Sequence, residues 1–512
     1  MPSAKPSASK PGPRFALEAG TRTVDQDIKA IVAFGPGAPR YDVREMATTA
    51  RIGIFGIGLA AYWPQFAGLK ERLEGYQRGV EERVRGFGAA IVSAGLVDSA
   101  EGARAAGQVF LRGDVDLILC YVATYATSSQ VLPVVQKSPA PVLVLNLQPV
   151  AALDYEHTDT GEWLANCSAC CVPEIANAFA RARIDFHVVS GQLAAEDAAW
   201  REIEDWCRAA AVARTVRESR IGFLGHTYPG MLDMYSDFTM MHAQLGAHVE
   251  VLEMDDLAKR VAAASADEVA AKLAVTRETF AIEPSVEESG LDWAVRVAVG
   301  LDRLAADFAL DGLTYYYRGL DDNAFERLGA GLILGNSLLT ARGIPASGEG
   351  DLKNCIAMLM MDRLGAGGSY TEFYAMDFRE GFVLMGHDGP GHTAISDARP
   401  VLRGLGLYHG KRGAGVSVEF KVKTGPVTIL GLTQTAEGRL KLIAAEGESL
   451  PGPILRIGNT NSRLRFALGP AEFLNRWSME GPTHHCALGV GHQAARIAKV
   501  AKLLQIPLVE VK

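Results

Sequence analysis

Seven cysteines are scattered over 512 residues, too few and too irregularly spaced for a disulfide framework. A reducing cytoplasm is the compartment expected of such a chain. No apolar run approaches the roughly 18 residues needed to span a bilayer, so no membrane association is expected. Positive charge is also short: 51 Lys and Arg against 59 Asp and Glu leave a formal net charge of −8, with no basic stripe. That pattern argues against nucleic acid as a partner. The stretch from Met1 to Gly20 is rich in Pro, Ser, Ala and Lys and lacks the apolar centre of a secretory signal. It reads as a disordered tail, and 1–45 is assigned as a disordered or extended segment.

What is present is ordinary globular composition, 48% hydrophobic and 21% charged. At roughly 150 residues per domain the length suggests about three domains. Two starts look alike: Arg51-Ile-Gly-Ile-Phe-Gly56 and Arg220-Ile-Gly-Phe-Leu-Gly225, each followed by an aromatic and proline-containing turn. Val115–Ala123 and Pro141–Leu147 follow the first start, His248–Leu252 and Asp311–Tyr317 the second. Apolar strands alternating with helical stretches such as Gly68–Phe87 imply parallel sheets. The fold class is therefore α/β: two tandem Rossmann-like doubly wound domains, 46–190 and 191–370, and a β-rich, barrel-like domain over 371–512. Glu196–Glu218, charged and Ala-rich, reads as the connection between the first two. Beyond about residue 370, Val416–Val422, Val427–Leu432 and Leu440–Ala445 read as an antiparallel meander. A helix over Gly491–Leu504 and a strand over Pro507–Val511 close the chain.

Gly56-x-Gly58-x-x-Ala61 has the form of a dinucleotide fingerprint. The acidic residue expected about 20 positions on is missing, Asp98 being much too distant, so a glycine turn at a strand end is the better reading. Cys167-x-x-Cys170-Cys171 lacks a second Cys or Cys/His pair at zinc spacing, and buried small thiols are expected there. A denser signal runs from Gly348-Glu349-Gly350-Asp351, which places two carboxylates in a flexible turn, through Tyr370-Thr371-Glu372-Phe373-Tyr374. It continues with His387 in a turn after the apolar run Phe382–Met385, and ends at Pro482-Thr483-His484-His485. Two Glu and two His near Gly-rich turns form a mixed O/N donor set that suits Mn²⁺ or a similar divalent cation.

These segments resemble the L-arabinose isomerase family, within the wider group that includes L-fucose isomerase. The resemblance covers most of the chain from about Arg51 and is best over Gly335–Asp377 and Pro482–Leu488. It implies metal ligands at Glu349, Glu372, His387 and His485, with Glu349 and Glu372 also serving as the acid/base pair. It implies two Rossmann-like domains with a barrel-like third, and a homo-oligomer, trimer or hexamer, with sites between subunits. The implied activity is metal-dependent aldose–ketose isomerisation of a small-molecule sugar, an intramolecular oxidoreduction through a metal-stabilised enediol. The metal would be Mn²⁺, or another divalent ion such as Mg²⁺ or Co²⁺. A hydride shift would use the same metal. The N-terminal half departs from the family: Val122-Ala123-Thr124-Tyr125 stands where the family has Met-His-Thr-Phe, and Cys170-Cys171-Val172-Pro173 where it has His-Gly-Gly-Arg. The metal end is kept while the sugar end is rebuilt, so L-arabinose is expected to be a poor substrate. Rival functions are another metal-dependent sugar conversion such as epimerisation, a non-catalytic sugar-binding protein on this scaffold, and a nicotinamide-dependent oxidoreductase using Gly56–Ala61.

Overall fold

The computed structural model describes residues 48–512, apart from 196–197, 319–322 and 406–414. The expected tail over 1–45 lies outside the described residues. The first sheet comprises β1 (Arg51–Ile57), β2 (Ala90–Val97), β3 (Leu117–Tyr121), β4 (Val142–Gln148) and β5 (Phe186–Gln192), all parallel, in the order 2-1-3-4-5. β1 and β3 are apolar and buried along almost their whole length, as strands covered on both faces must be. The order switches direction between β1 and β3, the kind of point where open parallel sheets receive ligands.

The second parallel sheet follows the same logic with β6 (Arg220–Gly225), β7 (His248–Leu252), β9 (Gly312–Tyr316) and β10 (Ala346–Ser347) in the order 10-9-6-7. The short β8 (Ala281–Ile282) lies between them in sequence but pairs elsewhere.

The remaining strands are β11 (Gly367–Asp377), β12 (Phe382–His387), β13 (Val401–Gly404), β14 (Val416–Glu419), β15 (Gly425–Gln434), β16 (Leu440–Ser449), β17 (Thr460–Phe466), β18 (His485–Val490) and β19 (Leu508–Glu510). Six of them close an antiparallel barrel in the order 15-18-11-12-17-16, because β16 pairs back onto β15. β19 adds parallel to β16. The expected meander is corrected here. β15 and β16 do form a hairpin, turning at Gly438 with φ 76°, but Val416–Glu419 pairs with β13 in a separate three-stranded sheet with β8.

The connection read from Glu196–Glu218 is the helix Ala198–Glu218, between β5 and β6. The helix Ala198–Glu218 is no surface linker: Trp200, Ile203, Trp206, Ala209, Ala210, Val212, Ala213 and Val216 are all buried. They share one core with β1, β3, the helix Leu352–Arg363 and barrel residues such as Leu430 and Ala487. Small alanines let that helix lie close against several neighbours at once. Leu352–Arg363 is buried at every position and leads out of the Gly348–Asp351 turn into the barrel. No helix among the described residues is long and apolar enough to cross a membrane.

Candidate functional site

The barrel supplies three of the sequence-predicted residues. Glu372 sits in β11, directly opposite His485 of β18 on one side and Gly386 of β12 on the other. His387 ends β12, one residue further along, so it belongs to the strand and not to a turn. The fourth, Glu349, comes from the turn that precedes the helix Leu352–Arg363. That turn is packed rather than flexible. Glu349 adopts φ +61°, a conformation costly for a non-glycine residue. It is held there by the Tyr228 N–H, which donates to the Glu349 carbonyl at 2.8 Å. At Gly350, with φ +74°, a Cβ would lie 2.6 Å from the His226 carbonyl oxygen, so only glycine fits.

The other three residues converge on His485. Glu372, His387 and His485 offer donor atoms all within 4.8 Å of one another, and so do Glu349, His484 and His485. His485 and Asp351 are both fully buried, and the His485 Nδ1 lies 3.0 Å from Asp351 Oδ2. The other oxygen, Asp351 Oδ1, accepts from the Asn354 N–H at 3.0 Å and caps the helix. One carboxylate thus fixes both a helix start and an imidazole tautomer. With its proton on Nδ1, His485 turns the Nε2 lone pair inward, the arrangement seen behind metal-bound histidines. Nε2 lies 2.8 Å from the Tyr370 hydroxyl, 3.2 Å from His387 Nε2 and 3.7 Å from Glu349 Oε2. The hydroxyl is also 3.1 Å from Nδ1, so it lies against the face of the imidazole between its two nitrogens.

The charges around this point are unusual. Burial pushes the Glu372 carboxyl above the ordinary carboxylate range; His485 and His484 oppose the rise, while Glu349 and Asp388 add to it. Burial, with Glu349 and Asp351 nearby, keeps Tyr370 a phenol far above its usual range. Glu349 Oε2 is buried with no hydrogen-bond partner among the described residues. An orphaned carboxylate oxygen beside an imidazole lone pair fits a divalent cation well. His387 fits less directly, since the Gly389 N–H donates to its Nδ1 at 2.9 Å and leaves the ring proton on Nε2. For Nε2 of His387 to bind a cation, that backbone contact must open.

The sequence reading left Asp233 and Lys353 without roles. Asp233 lies in the single helical turn Leu232–Met234, and its Oδ2 accepts from the His484 N–H at 2.9 Å while sitting 2.7 Å from Nδ1. Burial opposes charge on His484, but the bond to Asp233 and the nearby Glu349 carboxylate prevail and hold its imidazolium up to about 10. Asp233, despite its own burial, is drawn down to about 2 by the same contacts. Lys353, 1% exposed, anchors the segment from beneath, donating to the Tyr235 carbonyl at 2.9 Å and Ser236 Oγ at 3.2 Å. No spacing rule could have joined Asp233 to His484 across 251 positions.

The dinucleotide-like turn has a different explanation. A Cβ at Gly56 would lie 2.5 Å from Gln77 Oε1, and one at Gly58 would lie 2.8 Å from the Trp63 ring. Those glycines make room for the protein's own side chains, and Asp98 is occupied by the Trp63 indole N–H at 2.8 Å.

Residues 402–512 match the family described as L-fucose isomerase, C-terminal domain, a span that includes His484 and His485 but not Glu349, Glu372 or His387. The L-arabinose isomerase of Acidothermus cellulolyticus is 26% identical over 385 residues, covering 72% of this chain and 75% of that protein. Sulfoquinovose isomerase of Alkalicoccus urumqiensis is 23% identical over 307 residues, covering 60% of this chain and 68% of that protein. L-arabinose isomerase of Aeromonas hydrophila subsp. hydrophila is 22% identical over 407 residues, covering 77% and 80%. The chain is thus similar, as a divergent relative, to the L-arabinose and L-fucose isomerases.

Proposed function

We propose that this protein is an aldose–ketose isomerase working with a divalent cation, Mn²⁺ or a close substitute such as Mg²⁺ or Co²⁺. The observation that carries the reading is His485, tautomer-locked by Asp351 and shared by two donor groups that contain Glu349 and Glu372. Relatives named as isomerases of L-arabinose and of sulfoquinovose support the same class of reaction. Glu349, Glu372 and His485 would hold the cation, with His387 joining once its Gly389 contact opens. A cation there supplies Lewis-acid polarisation of the sugar's carbonyl and neighbouring oxygen. Glu372, made more basic by burial, is suited to take a proton from one carbon and return it to the next. Glu349, with its unpartnered Oε2, is suited to receive the proton that shifts between the oxygens. The charged His484 lies beside this carboxylate, its Nε2 3.8 Å from Oε2.

Ala123 follows β3 at the carboxyl edge of the first sheet, where the family pattern calls for a histidine. A methyl group cannot hydrogen-bond a sugar hydroxyl, so L-arabinose should be outperformed by another aldose. The organisation that accompanies this reading is Rossmann-like units over 46–190 and 191–370, a barrel unit from 371, and a closed trimeric or hexameric assembly, which light scattering would measure. The decisive experiment is a panel of pentoses and hexoses with Mn²⁺, reading aldose and ketose by NMR. Conversion of at least one sugar, abolished by EDTA and restored by Mn²⁺, is expected. Sugar binding without conversion would favour a binding protein, and inversion at a single carbon would favour an epimerase.

A further inference from the structure

We propose that Cys167 and Cys170 form a reversible disulfide, which makes the turn between them a redox modification site for small-molecule disulfides of the glutathione class. Of the seven cysteines, six are buried and Cys170 alone is exposed, contrary to the expectation of buried thiols throughout this cluster. The Cys167 thiol donates to Cys170 Sγ at 3.4 Å, so the sulfurs already touch. Bond formation requires them to close to about 2.05 Å. The pair sits in irregular chain between the helices Thr160–Leu164 and Val172–Ala182, where no regular hydrogen-bond ladder resists that movement.

The two thiols differ in a way that sets an order of events. Cys170 is reached by solvent and lies just ahead of the 11-residue helix Val172–Ala182, whose N-cap contributes no side-chain bond. Burial pushes the Cys167 thiol up to about 12, so it is the slower partner. Cys171 is held out of the pair: its thiol faces the carbonyl oxygens of Thr124 at 3.7 Å and Ser168 at 3.6 Å.

The steps balance. The Cys170 thiolate attacks one sulfur of oxidised glutathione, forming a mixed disulfide and expelling one glutathione thiolate. Cys167 then gives its proton to water and attacks Cys170 Sγ, expelling the second. Two protein thiols lose two electrons, and one glutathione disulfide becomes two thiols. The turn is stitched to the carboxyl edge of the first sheet, because Thr124 Oγ1 donates to the Leu164 carbonyl at 2.7 Å. Oxidation would therefore stiffen the chain beside the sheet's switch point. None of this rests on the isomerase reading.

The test uses the full-length protein equilibrated with mixtures of reduced and oxidised glutathione without air, then alkylated and read by intact mass and peptide mapping. The expected result is a loss of two hydrogens, reversed by dithiothreitol, with the cross-link mapped to Cys167 and Cys170. Cys171→Ser should behave like the native chain, Cys170→Ser should show no loss, and Cys167→Ser should stop at the glutathione adduct on Cys170. A persistent adduct on Cys170 in the native chain, a cross-link through Cys171, or no reaction would each overturn the proposal. The map of the native chain decides the matter even if a variant folds poorly.

Discussion

The two sides of the site are built differently. Glu372, His387 and His485 stand on adjacent barrel strands, where the hydrogen-bond ladders fix each backbone position and both histidines are almost wholly buried. Glu349, His484 and Asp233 stand on turns, held by a positive φ, a close approach at Gly350 and an ion pair still about a third exposed. His485 belongs to both sides. A strand-borne side chain moves only if the barrel moves. A turn-borne one is held by the few contacts that pack its turn. The barrel side therefore fixes its side chains through strand ladders, and the turn side fixes Glu349 through Tyr228 and the close approach at Gly350.

The sharpest way to break that division is to remove charge from each side. Glu372→Gln and Glu349→Gln keep size and one oxygen but lose the basic site. Both should fold normally and lose at least about a hundredfold in kcat, the low end for a lost general base. Saturating Mn²⁺ should not restore them, whereas His387→Gln should recover much of its rate at high Mn²⁺. The measurement is kcat against metal concentration, with circular dichroism as the folding control. Full rescue of both glutamate variants would make them ligands only and place the base elsewhere.

A smaller effect should come from behind His485. In Asp351→Asn the single amide oxygen can either cap the helix at Asn354 or accept the His485 Nδ1 proton, but not both. Asparagine is as good an N-cap as aspartate, so the helix should keep it. The imidazole then loses the partner that holds its proton on Nδ1, and its Nε2 lone pair is no longer secured. Mn²⁺ affinity should fall about 10- to 100-fold, the usual cost of losing such a partner, with kcat at saturating metal close to normal. Isothermal titration with Mn²⁺ measures it, and an unchanged affinity would mean that Asp351 serves the helix alone.

Much of the barrel side was legible in the sequence because strands and their histidines announce themselves: apolar runs end at His387 and begin at His485. The turn side was half legible. Gly348–Asp351 stood out by composition, but its packing against Tyr228 and His226 depends on contacts from a distant strand end. Asp351 was visible as a residue and not as a tautomer lock, since that role exists only once His485, 134 positions away, is beside it. β17, Thr460–Phe466, escaped notice because its polar residues face a protein interior that satisfies them. The helix Ala198–Glu218 was legible as a connection, but its burial was not. Its early charges look like a solvated surface, while the alanines that bury it carry little hydrophobic signal.

The finest test concerns the ion pair that holds the turn side in place. In metal-free protein, His484 keeps its proton up to about 10 instead of the ordinary 6.5, so its contribution to stability is complete below 6.5 and lost as pH rises through about 10. Asp233 works in the opposite sense: drawn down to about 2 from 3.8, it contributes above 3.8 and ceases as pH falls through about 2. Both contributions are whole only between roughly pH 4 and 6.5. Asp233→Asn should therefore lower the melting temperature most in that window, less at pH 8, and hardly at all above pH 10. The pair is partly open to solvent, so the largest loss should be on the order of 1 kcal/mol. Melting temperatures of both proteins in EDTA across pH 4 to 10, read by circular dichroism, give the difference directly. A difference independent of pH would mean that Asp233 holds His484 as a neutral hydrogen-bond partner, and the turn side would then owe its position to packing at Gly350 and to Lys353 instead of charge.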